Sequence, residues 1–594
     1  MTNGAHILRG SVAALALATA LTATAASAQA LPAAPTREEI LRDQPAPAIG
    51  PAAEAVSTDD TVERSPCPLA NPEFADIKLT LRSVEFSGSA AIDTASLAPT
   101  YADFIGREVP VAVVCEIRDR AATQLRAAGY LAAVRVPEQT ITDGVLRLEI
   151  RAATLTRIQV RGDAGASEAV LARYLRKLEG QPVFNIRDAE RYLLLARDIP
   201  GIEAKLVLRP GGAPGEVIGE VTVAQVPVQF DANVQNFGTK EVGRFGGIVR
   251  ARFNGLTGMG DQTSLSVYST ADFREQQVVQ AGHEFRVGGE GLRLGGTVTY
   301  AWTKPDIVTL PIKSETLVAN FFASYPLVRR QAQNLIATAG FDLVNQDIDL
   351  GPTPLNRDRL RVVSARIDAN WIDPASFTGR SGFSPAEPRW SLATSFEARQ
   401  GVGILGGSKD CGPTFNACFI GGRVPISRVE ADTTALVLRL SGNAEFRPTS
   451  QVAFSLAPRV QWSPDALLAY EEFSAGNFTV GRGYDPGVLI GDSGVGAAFE
   501  MRVGSLIPKD RHSFAIQPFA FADGAYVWNK DSSFAGLDPQ KLFAVGGGAR
   551  IAFGDAARLD LALAVPLRKA GLQTEKGDVR LLISLTTQFA AGRR

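Results

Sequence analysis

The sequence predicts two small α+β domains followed by an all-β transmembrane barrel of about sixteen antiparallel strands. Three features of the 594-residue chain support this fold class: an N-terminal export signal, two segments of similar α+β pattern before residue 226, and strand-length alternation of polar and apolar residues from residue 227 onwards. The 57 glycines favour β-structure with many turns, and the length favours several domains. The formal net charge of −1 gives no basic surface for nucleic acid, so no such partner is expected.

Residues 1–28 have the features of a secretory signal peptide. His6 and Arg9 precede an apolar run over residues 11–26, and Ala26-Ser27-Ala28 fits the small-residue cleavage rule. The alternative is an anchor that is not cleaved. Beyond this segment no stretch approaches the roughly 18 uninterrupted apolar residues of a transmembrane helix. If the mature chain lies in a membrane it must therefore form a closed barrel, which satisfies every backbone group in hydrocarbon.

Residues 29–66 are rich in proline and alanine, which predicts a linker, with one short helix over residues 36–42 capped by Thr36. Two segments of similar pattern follow from Ile77. Each opens with an alternating strand that ends in glycine and closes with another strand, with helices between them. The predicted strands are 83–88, 144–150, 157–162 and 216–223, and the predicted helices are 118–128, 169–178 and 186–196. The shared pattern indicates an internal repeat.

From residue 227 onwards, apolar and polar residues alternate over strand-length runs that are separated by glycine or charged turns. The clearest runs are 292–302, 363–371, 436–441 and 580–589. One apolar face and one charged face suit a wall between lipid and a watery lumen. A soluble sandwich shows the same alternation with the opposite face exposed, but the export signal and the aromatic Phe589 in the last strand favour the membrane barrel.

One glycine-rich stretch between the predicted eleventh and twelfth barrel strands combines a cation with an aromatic residue. Its sequence is Val480-Gly481-Arg482-Gly483-Tyr484. The flanking glycines allow tight turns that present one long cation and one ring. Taken alone, the stretch fits an exposed hairpin turn. In a barrel it predicts a loop folded back into the lumen, where the arginine needs an anionic partner.

This stretch resembles the Arg-Gly-Tyr signature of the superfamily that inserts or secretes proteins across outer membranes, whose sixth extracellular loop folds into the lumen. The chain is similar to its haemolysin secretion/activation branch, the transporter half of two-partner secretion. Gly129-Tyr130, residues 136–139 and Leu146 resemble the polypeptide-transport-associated (POTRA) domain of that branch. The family usually has valine directly before the arginine, where this chain inserts Gly481, and Glu-Gly where this chain has Ala152-Ala153.

The resemblance implies a protein of the cell outer membrane with its POTRA domains in the periplasm. It implies a first POTRA domain at residues 67–153, a second at 154–226, and an outer-membrane barrel at 227–594. In the family an N-terminal helix can plug the barrel. The short helix near Thr36 is a candidate for this role, and a disordered tail is the alternative.

The resemblance also implies a partner for Arg482. In the family the loop arginine meets an aspartate in an aromatic-x-Asp-x-Gly strand, and Phe521-Ala522-Asp523 matches its start, with Ala525 in place of the glycine. Asp523 is therefore the expected barrel-wall partner, whereas Asp485 and Asp492 within the loop are the alternatives. A lumenal pair of this kind is expected to be bidentate and partly desolvated.

The four cysteines suit an oxidising compartment. Cys411 and Cys418 bracket six residues, a spacing that can close a small disulfide loop, and Cys67 and Cys115 then pair by elimination. The resembled family also tends to carry a cysteine pair in its first POTRA domain. No Cys-x-x-Cys is present, so neither zinc nor thioredoxin chemistry is expected.

Three other motifs are weak candidates for catalysis or nucleotide binding. Residues 491–494 resemble a protease nucleophile turn, but Val495 stands where the next glycine belongs, and only His283 and His512 lie beyond the signal segment. The glycine runs at 288–291 and 546–548 lack the Gly-Lys-Ser/Thr of a phosphate loop. No enzyme activity, catalytic residue, metal or cofactor is expected.

The function implied by the resemblance is secretion of a β-rich partner exoprotein, which the POTRA domains recognise and the barrel passes without nucleotide. The expected partners are this exoprotein, outer-membrane lipid, and the outer-membrane assembly machinery during biogenesis. The alternative is an outer-membrane protein assembly insertase of the same superfamily, although two POTRA repeats are few for that role. A passive solute porin is a third hypothesis, against which the soluble domains argue.

Overall fold

The computed structural model of the chain describes residues 35–41, 56–57, 67–88, 91–141, 143–213, 215–307, 311–377, 382–530, 538–570 and 576–591. The predicted signal peptide at 1–28 lies outside the described residues, as does most of the predicted linker at 29–66. Two short elements of the linker are described, helix α1 (Arg37–Ile40) and strand β1 (Val56–Ser57). No helix within the described ranges is long and apolar enough to cross a membrane.

The first domain is a small α+β unit around one apolar core. Its elements are β2 (Lys78–Thr80), β3 (Ser83–Ser87), β4 (Glu108–Pro110), α2 (Val113–Ala127), β5 (Ala132–Arg135) and β6 (Val145–Ala152). Strand β6 lies between parallel β3 and antiparallel β5, whereas β2 and β4 form a separate ribbon. Ile117 and Leu125 of α2 are buried in the same cluster as Leu146 and Leu148 of β6. Each such side chain contributes about 1.5–3 kcal/mol relative to an exposed one.

The helical part of this domain differs from the sequence prediction. The helix predicted at 118–128 begins earlier, at Val113, and ends at Ala127. Val114 is fully buried, so packing outweighs the low helix propensity of valine at the start. Where the repeat would place a first helix, the chain forms 3₁₀ turns at Thr94–Thr100 and Ala102–Phe104. Pro99 lies inside the first of them and has no backbone N–H to donate, which prevents a regular α-helix.

The second domain repeats the pattern with two α-helices. Its elements are β7 (Thr154–Gly162), α3 (Glu168–Leu175), α4 (Ile186–Arg197), β8 (Ile202–Pro210) and β9 (Glu216–Gln225). Strand β9 lies between parallel β7 and antiparallel β8. Strand β1 of the linker adds a parallel strand to the outer edge of β8, with Val56 opposite Leu206. The helices bury Val170, Leu171 and Leu193 in the domain core.

Sixteen antiparallel strands form a closed barrel, which confirms the predicted fold class and strand number. They are β10 (Val228–Gln235), β11 (Gly246–Asn254), β12 (Gln262–Thr270), β13 (Gln276–Val287), β14 (Leu292–Thr303), β15 (Ile312–Arg329), β16 (Gln333–Leu350), β17 (Thr353–Ile372), β18 (Trp390–Gly401), β19 (Leu436–Thr449), β20 (Val452–Trp462), β23 (Ser493–Val503), β24 (Phe514–Trp528), β25 (Gln540–Phe553), β26 (Ala557–Pro566) and β27 (Arg580–Ala591). Strand β27 closes onto β10, with Phe589 opposite Phe230. Two short strands, β21 (Phe473–Ala475) and β22 (Leu489–Gly491), lie between β20 and β23.

The two faces of the barrel wall have opposite character. Apolar side chains such as Val298, Phe321 and Val363 point outwards and are 48–58% exposed. Polar side chains face the lumen, where Asp231 forms an ion pair with Arg250 at 3.1 Å. An apolar outer face around a charged interior is the arrangement of a wall that faces lipid.

The second domain contacts the turns at the near end of the barrel. Arg286 of β13 donates hydrogen bonds to the backbone carbonyls of Gly260 and Asp198. The Asp198 carboxylate accepts two 2.7 Å hydrogen bonds from Arg329 of β15. The loops at the far end are numbered here in chain order. Loop 5 comprises residues 402–435, and loop 6 comprises residues 463–492, including β21 and β22.

Candidate functional site

Loop 6 folds back from the far end of the barrel into its lumen. Val480 and Tyr484 are 2% and 0% exposed. They pack with Val527 of β24 and Leu542 of β25, which face the lumen. Strands β21 and β22 pair with each other and join the two arms of the loop. The predicted motif therefore lies buried inside the barrel, between the eleventh and twelfth barrel strands.

Both glycines of the motif have backbone conformations that favour glycine. The φ angle is 120° at Gly481 and 93° at Gly483. A Cβ atom at Gly481 would also lie 2.7 Å from the Leu542 side chain, and one at Gly483 would lie 3.0 Å from that of Ala564. The inserted Gly481 is thus the turn that directs Arg482 towards the wall after buried Val480.

Arg482 contacts two carboxylates on the inner wall. Its Nε and Nη2 atoms donate to the two oxygens of Asp523 in β24 at 3.0 and 2.8 Å, and its backbone N–H donates to the same carboxylate at 2.8 Å. Its Nη1 atom donates to Glu500 of β23 at 2.8 Å. The guanidinium lies 3.7 Å from the ring centre of Phe521. Burial lowers the pKa of Arg482, but the hydrogen bonds to Asp523 and Glu500 outweigh it and raise the pKa above its ordinary value.

Glu500 joins Arg482 to a wider network of arginines. Its carboxylate accepts hydrogen bonds from both terminal nitrogens of Arg550 and ion-pairs with Arg502 at 2.9 Å. The side chain is only 8% exposed. Burial of a carboxylate at this depth is sustained by several charged donors, because each buried charge needs a partner. Glu500 is therefore a second carboxylate partner of Arg482, beside Asp523.

The two alternative partners of Arg482 bind other cations. Asp485 accepts a hydrogen bond from Arg580 of β27 at 2.6 Å. Asp492 accepts hydrogen bonds from Arg428 of loop 5. The structure thus brings Asp523 to Arg482 and places both loop aspartates elsewhere.

Tyr484 attaches the loop to the wall on the other side of Arg482. Its hydroxyl oxygen lies 2.8 Å from the carbonyl of Phe543 and 2.7 Å from that of Arg568, and it accepts the Arg568 N–H at 3.2 Å. The buried hydroxyl therefore has partners both for donating and for accepting a hydrogen bond, so it is fully satisfied. Arg482 and Tyr484 together fix the loop to two separate parts of the barrel wall.

Helix α1 lies in the lumen beside loop 6. Glu38 accepts a hydrogen bond from Arg459 of β20 at 2.8 Å and another from Ser474 of loop 6 at 2.9 Å. Arg37 lies 3.9 Å from Glu397 of β18. A cavity of about 1140 Å³, lined mostly by polar and charged side chains, remains beside the helix. The segment that was predicted either to plug the barrel or to form a tail lies inside it.

The structure joins all four cysteines in disulfides. Cys67 is bonded to Cys115 of α2, and Cys411 is bonded to Cys418 in loop 5. The loop 5 pair is buried and belongs to the same apolar cluster as Ile40 of α1. Within the described residues no group of three histidine, cysteine, aspartate or glutamate side chains could hold a metal ion.

Loop 5 is attached to loop 6 at the far mouth of the barrel. Arg428 of loop 5 donates to both oxygens of Asp492, and it ion-pairs with Glu472 at 2.9 Å. Asp492 also accepts the backbone N–H of Leu467 at 2.7 Å. Because all three charged groups are at most 6% exposed, the contact is a buried one. Loops 5 and 6 are therefore packed against each other at the far mouth.

A family model described as "Haemolysin secretion/activation protein ShlB/FhaC/HecB" matches residues 218–551, which is more than half of the chain. The chain belongs to this family. A second model, described as "POTRA domain, ShlB-type", matches residues 79–151. As a member of the haemolysin secretion/activation family, the protein is an outer-membrane barrel with its POTRA domain region in the periplasm.

Curated relatives and solved structures agree with this assignment. The heme/hemopexin transporter protein HuxB of Haemophilus influenzae is 22% identical over 307 residues, which are 50% of this chain and 54% of the relative. The chain thus spans about half the length of the HuxB relatives it matches. The outer membrane transporter CdiB of Escherichia coli is 22% identical over 468 residues, which are 73% of this chain and 72% of CdiB.

The fold is that of two solved transporters. CdiB from Escherichia coli superposes with a TM-score of 0.70 at 17% identity, covering 91% of this chain and 94% of that one. CdiB from Acinetobacter baumannii superposes with a TM-score of 0.64 at 15% identity, covering 91% and 95%. At this identity the likeness shows the fold, and the roles of individual residues rest on the geometry described above.

Sequence reasoning missed Glu500 and Arg428. Glu500 lies between outward-facing Phe499 and Met501, so the period-two alternation assigns it to the lumen side of its strand. That signal could have marked it as an inward-facing acid next to the predicted strand of Asp523. No sequence signal indicated Arg428, because its partner Asp492 lies in a different loop.

Proposed function

We propose that this member of the haemolysin secretion/activation family recognises a partner exoprotein through its POTRA domains and secretes it through the barrel lumen without nucleotide. The observation that carries the proposal is a closed barrel whose lumen holds two non-wall elements, α1 and loop 6, behind two periplasmic domains. The printed names of its relatives support it, since HuxB is called a heme/hemopexin transporter and CdiB an outer membrane transporter.

The partner docks as an extended strand on a sheet edge of the POTRA domains, where main-chain hydrogen bonds give affinity. Among the described residues, β5 of the first domain pairs only with β6 and leaves its other edge available. The outer edge of β8 in the second domain is covered by β1 at Leu206 and Val207. A partner strand that pairs with β8 displaces β1 of the linker, which connects to α1 in the lumen.

Within the lumen, α1 is the element that leaves first. Its Glu38–Arg459 pair has side chains that are 24% and 30% exposed, and such a partly hydrated pair is worth up to about 1 kcal/mol. The one aliphatic side chain that α1 buries is Ile40, which contributes about 1.5–3 kcal/mol. Asp523 is 1% exposed, and removing a partner from a pair at that depth costs about 3–5 kcal/mol. Loop 6 therefore stays attached after α1 has moved.

Folding of the exoprotein outside the cell supplies the direction of transport. A polypeptide that folds only after leaving the lumen does not return, so no nucleotide is needed at the membrane. The lumenal cavity suits this role, because it is lined mostly by polar and charged side chains. The exoprotein itself is expected among exported β-rich proteins that are encoded beside this chain.

Deletion of residues 67–153 tests the proposal. The deletion removes the first POTRA domain together with Cys67 and Cys115, so it leaves no unpaired thiol. We expect secretion of the partner to stop, while the barrel still folds and shows heat-modifiable migration, because its strands bond to one another. Secretion at the wild-type rate would contradict the docking role. Loss of unrelated outer-membrane barrels on depletion of the full chain would favour the insertase instead.

A further inference from the structure

The outer wall of the barrel carries an apolar groove over strands β12 to β16. Its volume is about 840 Å³. Its lining includes Thr263, His283, Phe285, Phe321, Ala339 and Phe341. These side chains have the outward orientation of Val298, which is 48% exposed, whereas Thr299 in the lumen-facing register is buried. The groove therefore opens towards lipid.

Small residues make the floor of the groove. Ala323 pairs with Ala339, and Gly296 pairs with Phe321 on the adjacent strand. A Cβ atom at Gly296 would lie 3.1 Å from the Phe321 ring, so the ring rests against the bare backbone. The groove therefore combines large rings with a floor of small residues.

The strand register gives the depth of the groove. Val287 pairs with Leu292 at the turn near the periplasm, and His283 pairs with Gly296 four residues further along β13. At about 3.3 Å per residue and a strand tilt near 40°, His283 lies roughly 10 Å above that turn. At the other end of the hairpin Trp302 pairs with Gln277. The groove thus lies in the periplasmic half of the barrel wall.

His283 is a polar side chain on this lipid-facing surface. Its Nδ1 atom lies 2.9 Å from the hydroxyl of Thr263. When the hydroxyl donates to Nδ1, Nε2 carries the ring proton, and within the described part of the chain Nε2 has no hydrogen-bond partner. A polar group held in this environment is expected to have a function, because hydrocarbon offers it no partner.

We propose that the groove binds one glycerophospholipid of the periplasmic leaflet. One acyl chain lies on the floor of Gly296, Ala323 and Ala339, and Nε2–H of His283 donates to a glycerol ester carbonyl. The position of the groove selects this occupant. The groove is continuous with the lipid-facing wall, so a membrane lipid reaches it without leaving the bilayer, and His283 supplies a donor at the level of Gly296.

Native mass spectrometry of the full chain in mild detergent tests the site. We expect the wild-type barrel to retain one phospholipid, and to take up phosphatidylethanolamine or phosphatidylglycerol again after delipidation. Ala339→Leu fills the floor and should reduce occupancy about tenfold, the effect of adding bulk to a packed site. The matched control is Ala520→Leu, which enlarges an exposed alanine on the outer face of β24 and should leave occupancy unchanged.

The histidine is tested with a lipid that lacks the ester carbonyl. Wild type should bind a diacyl phospholipid about fivefold more tightly than its ether-linked analogue, the factor that one neutral hydrogen bond contributes. His283→Leu should bind both equally. Heat-modifiable migration checks that each variant is folded. A wild-type barrel without lipid, a second copy of the chain in its place, equal occupancy in Ala339→Leu and Ala520→Leu, or equal binding of ester and ether lipids by wild type would each overturn the proposal.

Discussion

At Arg482 the guanidinium donates to two carboxylates at once. Nε and Nη2 meet Asp523, and Nη1 meets Glu500. The planar group also lies flat enough over Phe521 to come within 3.7 Å of the ring centre. Lysine carries the same charge as a point on a flexible stem and cannot make these three contacts together. Position 482 therefore requires the planar guanidinium of arginine as well as its positive charge.

Arg482→Ala and Asp523→Ala should each strongly reduce secretion of the partner. Each change leaves a buried charge without its bidentate partner, at a cost of about 3–5 kcal/mol. The double variant should be little worse than either single variant, because the two residues act as a unit. Arg482→Lys should restore little secretion. The assay is the amount of partner in the culture medium at equal barrel levels.

Arg511→Ala is the control for this series. Arg511 is 71% exposed at a periplasmic turn and lies 3.6 Å from Asp555, so its loss should leave secretion unchanged. If Arg482→Ala secretes normally, or if the two single effects simply add, then loop 6 does not depend on this pair.

The sequence led to some residues of the site and not to others. Phe521-Ala522-Asp523 indicated the carboxylate that lies at Arg482, because the resemblance carried over a local pattern. Glu500 joins the site through the register of β23 with β24, where it lies opposite Phe521. Register between strands depends on loop lengths and packing, which no local pattern records.

At the scale of single elements, α1 shows how a short helix forms inside a barrel. Four residues are too few for a stable isolated helix. Thr36 and Glu39 form a reciprocal capping box that satisfies backbone donors at its start. Ile40 is 2% exposed and anchors the helix in the apolar cluster that contains the loop 5 disulfide. The helix is thus stabilised by its surroundings and is free to unfold when it leaves them.

Glu38→Ala should increase the open time of the channel in planar lipid bilayers. The change removes the hydrogen bonds to Arg459 and Ser474, so α1 spends more time outside the lumen. Arg37→Ala is the matched control on the same helix, and its effect should be smaller, because Arg37 lies 3.9 Å from Glu397. Equal conductance of wild type and Glu38→Ala would show that α1 does not restrict the pore.

The strands were predicted better than the helices. Alternation identifies a wall strand because each side chain faces either lipid or lumen, and the barrel has the sixteen strands that this pattern indicated. The 3₁₀ turns around Pro99 and the early start of α2 at Val113 could not be predicted in the same way. The early start of α2 depends on the burial of Val114 in the first domain, where tertiary packing outweighs weak local preferences.

At the scale of the whole molecule, the second α+β domain is joined to the barrel by two kinds of contact. Arg286 is 7% exposed and donates to two backbone carbonyls, of Gly260 and Asp198. Arg329 binds the Asp198 carboxylate, whose side chain is 39% exposed. The hydrogen bonds of buried Arg286 should stabilise the attachment of the domain more than the Arg329–Asp198 ion pair does, because water competes for the ion pair.

Arg286→Ala should therefore loosen the domain more than Arg329→Ala. Loss of Arg286 removes the hydrogen bond to the Asp198 carbonyl and leaves the buried Gly260 carbonyl without this donor, at about 1–3 kcal/mol, whereas loss of the Arg329 pair costs under about 1 kcal/mol. The distance distribution between spin labels on the second domain and on a barrel turn measures the effect. A broader distance distribution for Arg329→Ala than for Arg286→Ala would show instead that Arg329 contributes more to holding the domain on the barrel.

Site-specific photocrosslinking shows whether the partner passes through the lumen of this barrel. Ser395 lines the lumenal cavity, and its neighbour Phe396 faces lipid and is 47% exposed. A photocrosslinking amino acid is placed at each position in turn, and the partner is stalled during secretion by a folded C-terminal fusion. We expect a crosslink to the partner from position 395 and none from position 396. Continued secretion with no crosslink from 395, or equal crosslinks from both positions, would contradict it.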